Sequence, residues 1–393
     1  MKRRMRPNEP VIVGTGHTRF GKLQEGLEQL MHLAASEALR DASVGGSMVD
    51  AVWLGHFNAG LVPDGFCSSI ALGVDDGLRF KPSVRCENAC ASGSAAVYAA
   101  LDAVRSGRVR VALVIGVEKM TSLDTPGVTR ALGSASYQAE EAGLSFPAIF
   151  ARFAQAYEAR YGDPTEAMAR IAVKNHRNAM ANPLAHLHKL LELEFCLIAS
   201  ERNPMVAAPL KVTDCSLISD GAAALVITRA DMIGEFPGAV RFRASEQVND
   251  LLPLSRKDLA SFEGPRRAIT QAYESAGVSV DDLDFAEVHD CFTIAELMTI
   301  EAMGLCAPGQ GHEVVRDGLT ERDGALPMNV SGGLKAKGHP VGATGVSMHV
   351  LASRQLTGRA GAMQLPNAGL GLVFNMGGGA VVNCVSILEC VKN

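Results

Sequence analysis

Three stretches of this chain set reactive side chains among small ones. In Arg85-Cys86-Glu87-Asn88-Ala89-Cys90-Ala91-Ser92-Gly93-Ser94 a thiol stands where a strand gives way to a run of small residues that reads as a helix start. At such a junction the helix dipole and free N–H groups favour thiolate and lower the thiol pKa, and the missing bulk admits a carbonyl carbon. That is the chemistry of acyl transfer to Cys90, although the segment alone also suits a buried helix cap. Cys86 lacks the helix-start context and reads as core. His289 opens His289-Asp290-Cys291-Phe292 after the apolar strand Phe285-Ala286-Glu287-Val288, and His339 lies in the glycine-rich loop from Asn329 to Gly345. Either imidazole could serve the thiol, and a lone histidine at either place is more often a hydrogen-bonded structural residue. His176, His186 and His188 fall in polar stretches that suit solvated or capping roles.

The elements that must bring these groups together come from an internal repeat. Ala91-Ser92-Gly93 and Ala343-Thr344-Gly345 each open a buried helical run. Gly221-Ala222-Ala223-Ala224-Leu225-Val226 and Gly377-Gly378-Gly379-Ala380-Val381-Val382 align as glycine-led strands. Amphipathic helices near Leu27 to Ala42 and Arg266 to Ala276 precede strands at Asp50 to Leu54 and Asp284 to Val288. Ala91 to Gly221 spans about 130 residues and Ala343 to Gly377 about 34, so about 96 residues are inserted in the first half. The insert carries helical patterns at Phe150 to Arg160 and Pro164 to Ala181, as expected of a lid over a site. The expected division is 1–120 with 211–240 as the first half, 121–210 as the inserted domain, and 241–393 as the second half. Alternating strands and helices imply an α/β fold of mostly parallel sheets, with the site at strand carboxyl ends and helix N-termini, where the repeat places Cys90, His289 and His339 together.

Composition removes several other functions. The 393 residues carry 37 basic and 42 acidic side chains, a net charge of −5, and no Lys/Arg block of the kind phosphate backbones require. Nucleic acid is therefore not an expected partner. Apolar stretches such as Val111 to Val117 are too short to cross a bilayer, and the basic first residues lack the apolar region of a signal peptide, so the expectation is no membrane association and a cytoplasmic location. Nine scattered cysteines with no C-x-x-C pair argue against a disulfide framework, and no His/Cys spacing supports a metal. Gly14-Thr15-Gly16 fails as a dinucleotide turn because Arg19 stands where a small residue is needed. The glycines from Gly333 to Gly338 fail as a phosphate loop because His339-Pro340 replaces the Lys-Ser/Thr pair.

Asn88-Ala89-Cys90-Ala91-Ser92-Gly93, His289-Asp290-Cys291-Phe292 and Gly338-His339-Pro340 with Gly342-Ala343-Thr344-Gly345 together resemble the thiolase superfamily, and within it the sterol-carrier-protein type thiolases. The resemblance runs from Pro10 to Leu388 and extends to Lys174-Asn175-His176, Asn182-Pro183 and Ser219-Asp220-Gly221-Ala222-Ala223. It implies a thiolase-like fold, a duplicated βαβαβαββ unit in five αβαβα layers with an inserted loop domain that binds coenzyme A. Degradative and biosynthetic thiolases carry a second cysteine in a C-x-G motif where this chain has Asn375-Met376-Gly377. As in the sterol-carrier type, that role would pass to Cys291.

The resemblance further implies that His339 takes the proton of Cys90, which attacks an acyl-CoA or 3-ketoacyl-CoA, and that the N–H groups of Cys90 and Gly377 hold the oxyanion. Cys291 would abstract the α-proton of a second acyl-CoA while His289 stabilises the enolate. Ser331, Gly332 and Gly333 would approach the pantetheine, and Asp290 would be structural. No cofactor is implied beyond coenzyme A thioesters as substrates. The expected assembly is a homodimer or homotetramer, with an OB-fold/zinc-ribbon protein as a candidate partner. Rival readings are a decarboxylating ketoacyl synthase, which has no need of Cys291, an aldol lyase acting on hydroxyacyl-CoA, which needs no acyl-enzyme, and a non-catalytic acyl-CoA-binding scaffold subunit.

Overall fold

A computed structural model describes residues 5–236 and 238–391. The first half runs β1 (Pro10–His17), α1 (Leu27–Asp41), β2 (Ala51–Gly55), β3 (Ser83–Cys86), α2 (Ser92–Arg105) and β4 (Val111–Glu118). An excursion then carries α3 (Thr125–Gly133), α4 (Phe146–Tyr161) and α5 (Thr165–Ala179) before β5 (Gly221–Arg229) completes the half. The second half runs β6 (Ala239–Asn249), α6 (Glu263–Ala276), β7 (Phe285–Val288), α7 (Thr293–Ala302), α8 (Val341–Leu356), β8 (Leu370–Gly377) and β9 (Val382–Val391).

The repeat is legible in the pairing. In the first half β2 lies parallel to both β3 and β4, β4 is antiparallel to β5, and β5 is antiparallel to β1. In the second, β7 is parallel to β8, β8 antiparallel to β9, and β9 antiparallel to β6, while a parallel bridge from Ala286 to Met328 stands where β3 stands in the first half. The strand order is β3-β2-β4-β5-β1-β6-β9-β8-β7. The two half-sheets meet at β1 and β6 through only two residue pairs, Val11 with Arg241 and Ile12 with Val240.

Helices cover both faces, which is why β1 and β4 are buried at every position and read as apolar runs without alternation. α1 packs on β1 and β5, α2 and α8 pack on each other between the half-sheets, and α6 covers β6 and β9. The layers are therefore helix, sheet, helix, sheet, helix. The middle layer needs small residues. A Cβ on Gly93 would lie 2.8 Å from the Val346 amide nitrogen, and one on Gly345 would lie 2.3 Å from that of Ser94. This crossing sets the starts of α2 and α8, hence the neighbourhoods of Cys90 and His339, against each other.

Two expectations are corrected: among the described residues five of the eight pairings in the large sheet are antiparallel, so it is not mostly parallel, and one alignment of the halves shifts. Gly377 to Val382 is not a strand: Gly377 ends β8, residues 378–381 form the turn, and Val382 begins β9. The counterpart of β5 is thus β9, and the excursion occupies the connection that this tight turn makes in the second half. The mistake arose because small residues serve both a close-packed strand and a tight turn, here with φ +65° at Gly378.

Candidate active site

Cys90 sits in the turn between β3 and α2, two residues before the helix begins. Ala89 is held at φ +49°, an unfavourable conformation for a residue with a Cβ. The Ser92 hydroxyl fixes the turn, accepting from the Asn88 amide at 2.9 Å and donating to the Ala89 carbonyl at 2.6 Å. His289 follows β7 and His339 precedes α8, so three separate segments converge here. The Cys90 sulfur and one ring nitrogen from each histidine lie within 4.8 Å of one another. The two rings meet edge to face, 5.1 Å apart at 85°.

Hydrogen bonds set opposite tautomers on the two imidazoles. The Thr344 hydroxyl has one proton, which it donates to the Pro340 carbonyl at 3.0 Å, so at 2.7 Å it accepts from Nδ1–H of His339. Nε2 of His339 is left as a proton acceptor, buried and without a partner. Around His289 the Asn375 side chain decides. Its Oδ1 accepts from Ser94 Oγ at 2.8 Å, so its amide nitrogen donates to the Cys90 carbonyl at 3.1 Å and to His289 Nδ1 at 3.0 Å. His289 therefore carries its proton on Nε2 as a donor. Asn375 was noticed in the sequence only as a missing cysteine, and no local signal reveals that it orients the imidazole across 86 residues of chain.

Burial governs the charges. It pushes the Cys90 thiol up to about 12, against the Gly378 amide, which favours thiolate; nearby Glu118 raises it further. The expected lowering at a helix start is thus reversed, because the surrounding protein desolvates the half-buried sulfur and the helix begins only at Ser92. Cys291 lines the same cavity and is also raised, by burial and then by Cys90. Burial, with Lys337 adding to it, brings His339 down to about 3, and burial with His339 and Lys337 lowers His289. Both rings thus favour the neutral form.

The same burial yields a stability prediction. His17, His176, His289, His339 and His349 are all lowered from 6.5 chiefly by burial, to about 4 at His176 and His349. Below pH 6.5 the unfolded chain takes up protons that the folded one refuses, so stability is full above that value and lost as pH falls toward the depressed ones. The urea midpoint is expected to drop between pH 6.5 and 4.5, reflecting a loss of unfolding free energy of up to about 1.4 kcal/mol per pH unit for each such histidine. A midpoint that does not move over this window would contradict it.

A cavity of about 380 Å³ opens from the thiol and is walled mainly by apolar side chains, including Met120, Val128, Leu132, Phe146, Phe150 and Ile218. Much of the wall comes from α3, α4 and residues 215–218 of the excursion. Phe150 stacks on Phe292 at 4.6 Å beside Cys291. Gly377 packs on Asn88 and Ala91, and the next amide, that of Gly378, meets the Cys90 sulfur.

Ser331, Gly332 and Gly333 do not line the cavity. Ser331 is buried and gives its amide and hydroxyl to Glu287 at 3.1 and 2.6 Å. Gly332, at φ +98°, packs on Ala179, and a Cβ on Gly333 would lie 2.2 Å from an Asp290 oxygen. This loop is glycine-rich because it folds round Asp290 and α5. Asp290 accepts from the Leu334 amide at 2.6 Å and Asn175 at 2.7 Å. Asn175 and Asn329 also bind Glu296, which pairs with the buried Lys174. Of the insert histidines, His176 is buried and bonds the Lys189 carbonyl, whereas the half-buried His186 bonds the Ser219 hydroxyl and the exposed His188 the Asn182 carbonyl.

Residues 10–190 match the thiolase N-terminal domain and residues 245–390 the thiolase C-terminal domain-like family. The chain is similar to an acetyl-CoA acetyltransferase of Methanothermobacter thermautotrophicus, 37% identical over 93% of this chain and 96% of that protein. It is also similar to sterol carrier protein 2 of Homo sapiens, 32% identical over 94% of this chain and 70% of that one. Among solved structures the Ltp2-ChsH2(DUF35) aldolase superposes with a TM-score of 0.80 at 23% identity, covering 98% of each chain, a likeness of fold. With both halves matched and the sulfur and imidazoles gathered where they meet, the chain belongs to the thiolase family of enzymes.

Proposed function

We propose that the protein is an acyltransferase that makes and breaks the carbon–carbon bond of 3-ketoacyl-CoA by reversible Claisen condensation through a Cys90 acyl-enzyme. The observation that carries this reading is the pairing of one thiol with one proton-accepting and one proton-donating imidazole. His339 Nε2 takes the proton as the sulfur attacks the thioester carbonyl, then returns it to the departing coenzyme A sulfur. The N–H groups of Cys90 and Gly377, with that of Gly378 beside them, hold the oxyanion. In the second half-reaction the carbonyl oxygen of another acyl-CoA accepts from His289 Nε2–H, Cys291 passes its proton to His339 Nε2 and as the thiolate removes the α-proton, and the carbanion attacks the acyl carbonyl so that the Cys90 sulfur leaves and takes the proton back from His339.

A neutral thiol beside a neutral imidazole suits this order, because the proton moves only once a carbonyl is in place. The retained thiol argues against the aldol lyase, whose cleavage passes through no acyl-enzyme. The aldolase of similar fold is named with a ChsH2(DUF35) subunit, which keeps an OB-fold/zinc-ribbon partner within the proposal.

Intact-mass measurement after exposure to acetyl-CoA and longer acyl-CoAs tests the reading. One acyl group per chain, mapped to the Cys90 peptide, is the expected result. Cleavage of a 3-hydroxyacyl-CoA with no covalent adduct would replace it with the lyase.

A further inference from the structure

We infer that Glu118 and His56 form a buried charged pair that positions His339 against Cys90 by clamping the start of the second-half helix α8 to the first half. The inference rests on the acyl-transfer reading for its consequence, though not for its geometry. Glu118 ends β4 and is 0% exposed. Its Oε1 accepts from the Asn58 amide and lies 3.0 Å from His56 Nδ1, and its Oε2 accepts from the amides of Phe57 and Gly342, all at 3.0 Å. Gly342 lies three residues beyond His339, in the first turn of α8. A Cβ there would sit 2.4 Å from the Val117 carbonyl oxygen and 2.7 Å from Glu118 Oε2, so the turn closes directly on the carboxylate. One side chain thus ties together the loop after β2, the end of β4 and the segment bearing His339.

Packing alone does not account for a charge here. A buried carboxylate is costly unless paired, and an apolar residue of similar volume would fill the space without that penalty. Burial works against charge on His56, yet Glu118 and Cys67 together carry the imidazole up to about 10, and its Nδ1 also lies 3.1 Å from the Val117 carbonyl oxygen. The clamped loop also reaches the cavity, because Phe57 packs with Met120, Val128 and Val341, which line it. The titratable groups around Cys90 are the two imidazoles within 4.8 Å and Cys291 in the same cavity, with Glu118 and Glu87 acting on the sulfur and Lys337 on the imidazoles through charge. Of the acidic groups near the sulfur, Glu118 is the larger influence.

The test uses the full chain with Glu118→Gln, His56→Asn and the double variant, each checked for folding by circular dichroism. Two rates are read: acylation of Cys90 by acetyl-CoA in a single turnover, and alkylation of Cys90 by iodoacetamide against pH, both by peptide mass spectrometry. Glu118→Gln is expected to slow acylation at least about tenfold with little change in the half-saturating acetyl-CoA concentration. Its alkylation curve should move to lower pH by about half a unit or more, since a negative neighbour is gone. His56→Asn, which leaves Glu118 uncompensated, should move the curve to higher pH.

A purely structural pair would slow both reactions together or neither, and either result in folded variants would overturn the inference. If all three variants fail to fold, the pair is a folding element and the positioning role is rejected. Should the unaltered protein take no acyl group from any acyl-CoA, the acyl-transfer reading fails, while the alkylation curves still decide whether the pair acts on Cys90.

Discussion

Cys90→Ala is expected to eliminate the acyl-enzyme and cut turnover by about 10⁴- to 10⁶-fold, the loss that follows removal of the nucleophile from a covalent mechanism. The fold should survive. Cys90 projects into a cavity between Ala89 and Ala91, so the change removes one sulfur atom at its rim and leaves the Ser92 bonds to Asn88 and Ala89 in place. What remains, the amides and the His339 Nε2 acceptor, has nothing to deliver to the carbonyl carbon. The measurement is thiolysis of acetoacetyl-CoA by coenzyme A, followed as loss of the 3-keto thioester, with intact mass after exposure to acetyl-CoA. More than one hundredth of normal turnover, or an adduct persisting on the variant, would place the nucleophile elsewhere.

Cys291→Ser should separate the half-reactions. The variant keeps Cys90, His339 and the oxyanion amides, so the acyl-enzyme still forms. Carbon–carbon bond formation between two acetyl-CoA molecules should fall by about 10²- to 10⁴-fold, the usual worth of a positioned acid or base, because a serine hydroxyl ionises far less readily than a thiol and so scarcely supplies the anion that takes the α-proton. Cys291 is 5% exposed at the cavity wall, and its pKa is raised by burial and then by its neighbour Cys90, as suits two sulfurs sharing one crevice. The measurement is formation of acetoacetyl-CoA together with the mass of the resting variant. Undiminished condensation would free the mechanism of Cys291. If only malonyl-CoA supported that rate, a decarboxylating synthase would be the better description.

Much of this architecture could be read from the letters because it depends on short-range order. The segments expected as helices at 27–42 and 266–276 lie on α1 and α6, and the strands near Asp50 and Asp284 lie on β2 and β7, since a residue's face is set by neighbours two to four positions away. The second-half strand was misplaced at Gly377 to Val382 because glycine permits strand and turn alike. The pantetheine role given to Ser331, Gly332 and Gly333 rested on composition, and the partners that explain that composition, Glu287, Ala179 and Asp290, lie 43 to 153 residues away.

By itself the amino-acid order determined the duplication and the alternation of strand and helix, and it singled out Cys90, His289, Cys291 and His339 as the candidates for the chemistry. Only the folded chain decided which imidazole accepts and which donates, that Asn375 orients one of them, that burial favours the protonated form of the Cys90 thiol, and that Glu118 bonds to both halves. The physical reason is that residue type and spacing act locally along the backbone. Desolvation, proton placement and charge pairing depend on atoms hundreds of residues apart meeting within hydrogen-bonding distance, as when the Asn375 amide meets the Cys90 carbonyl across 285 residues.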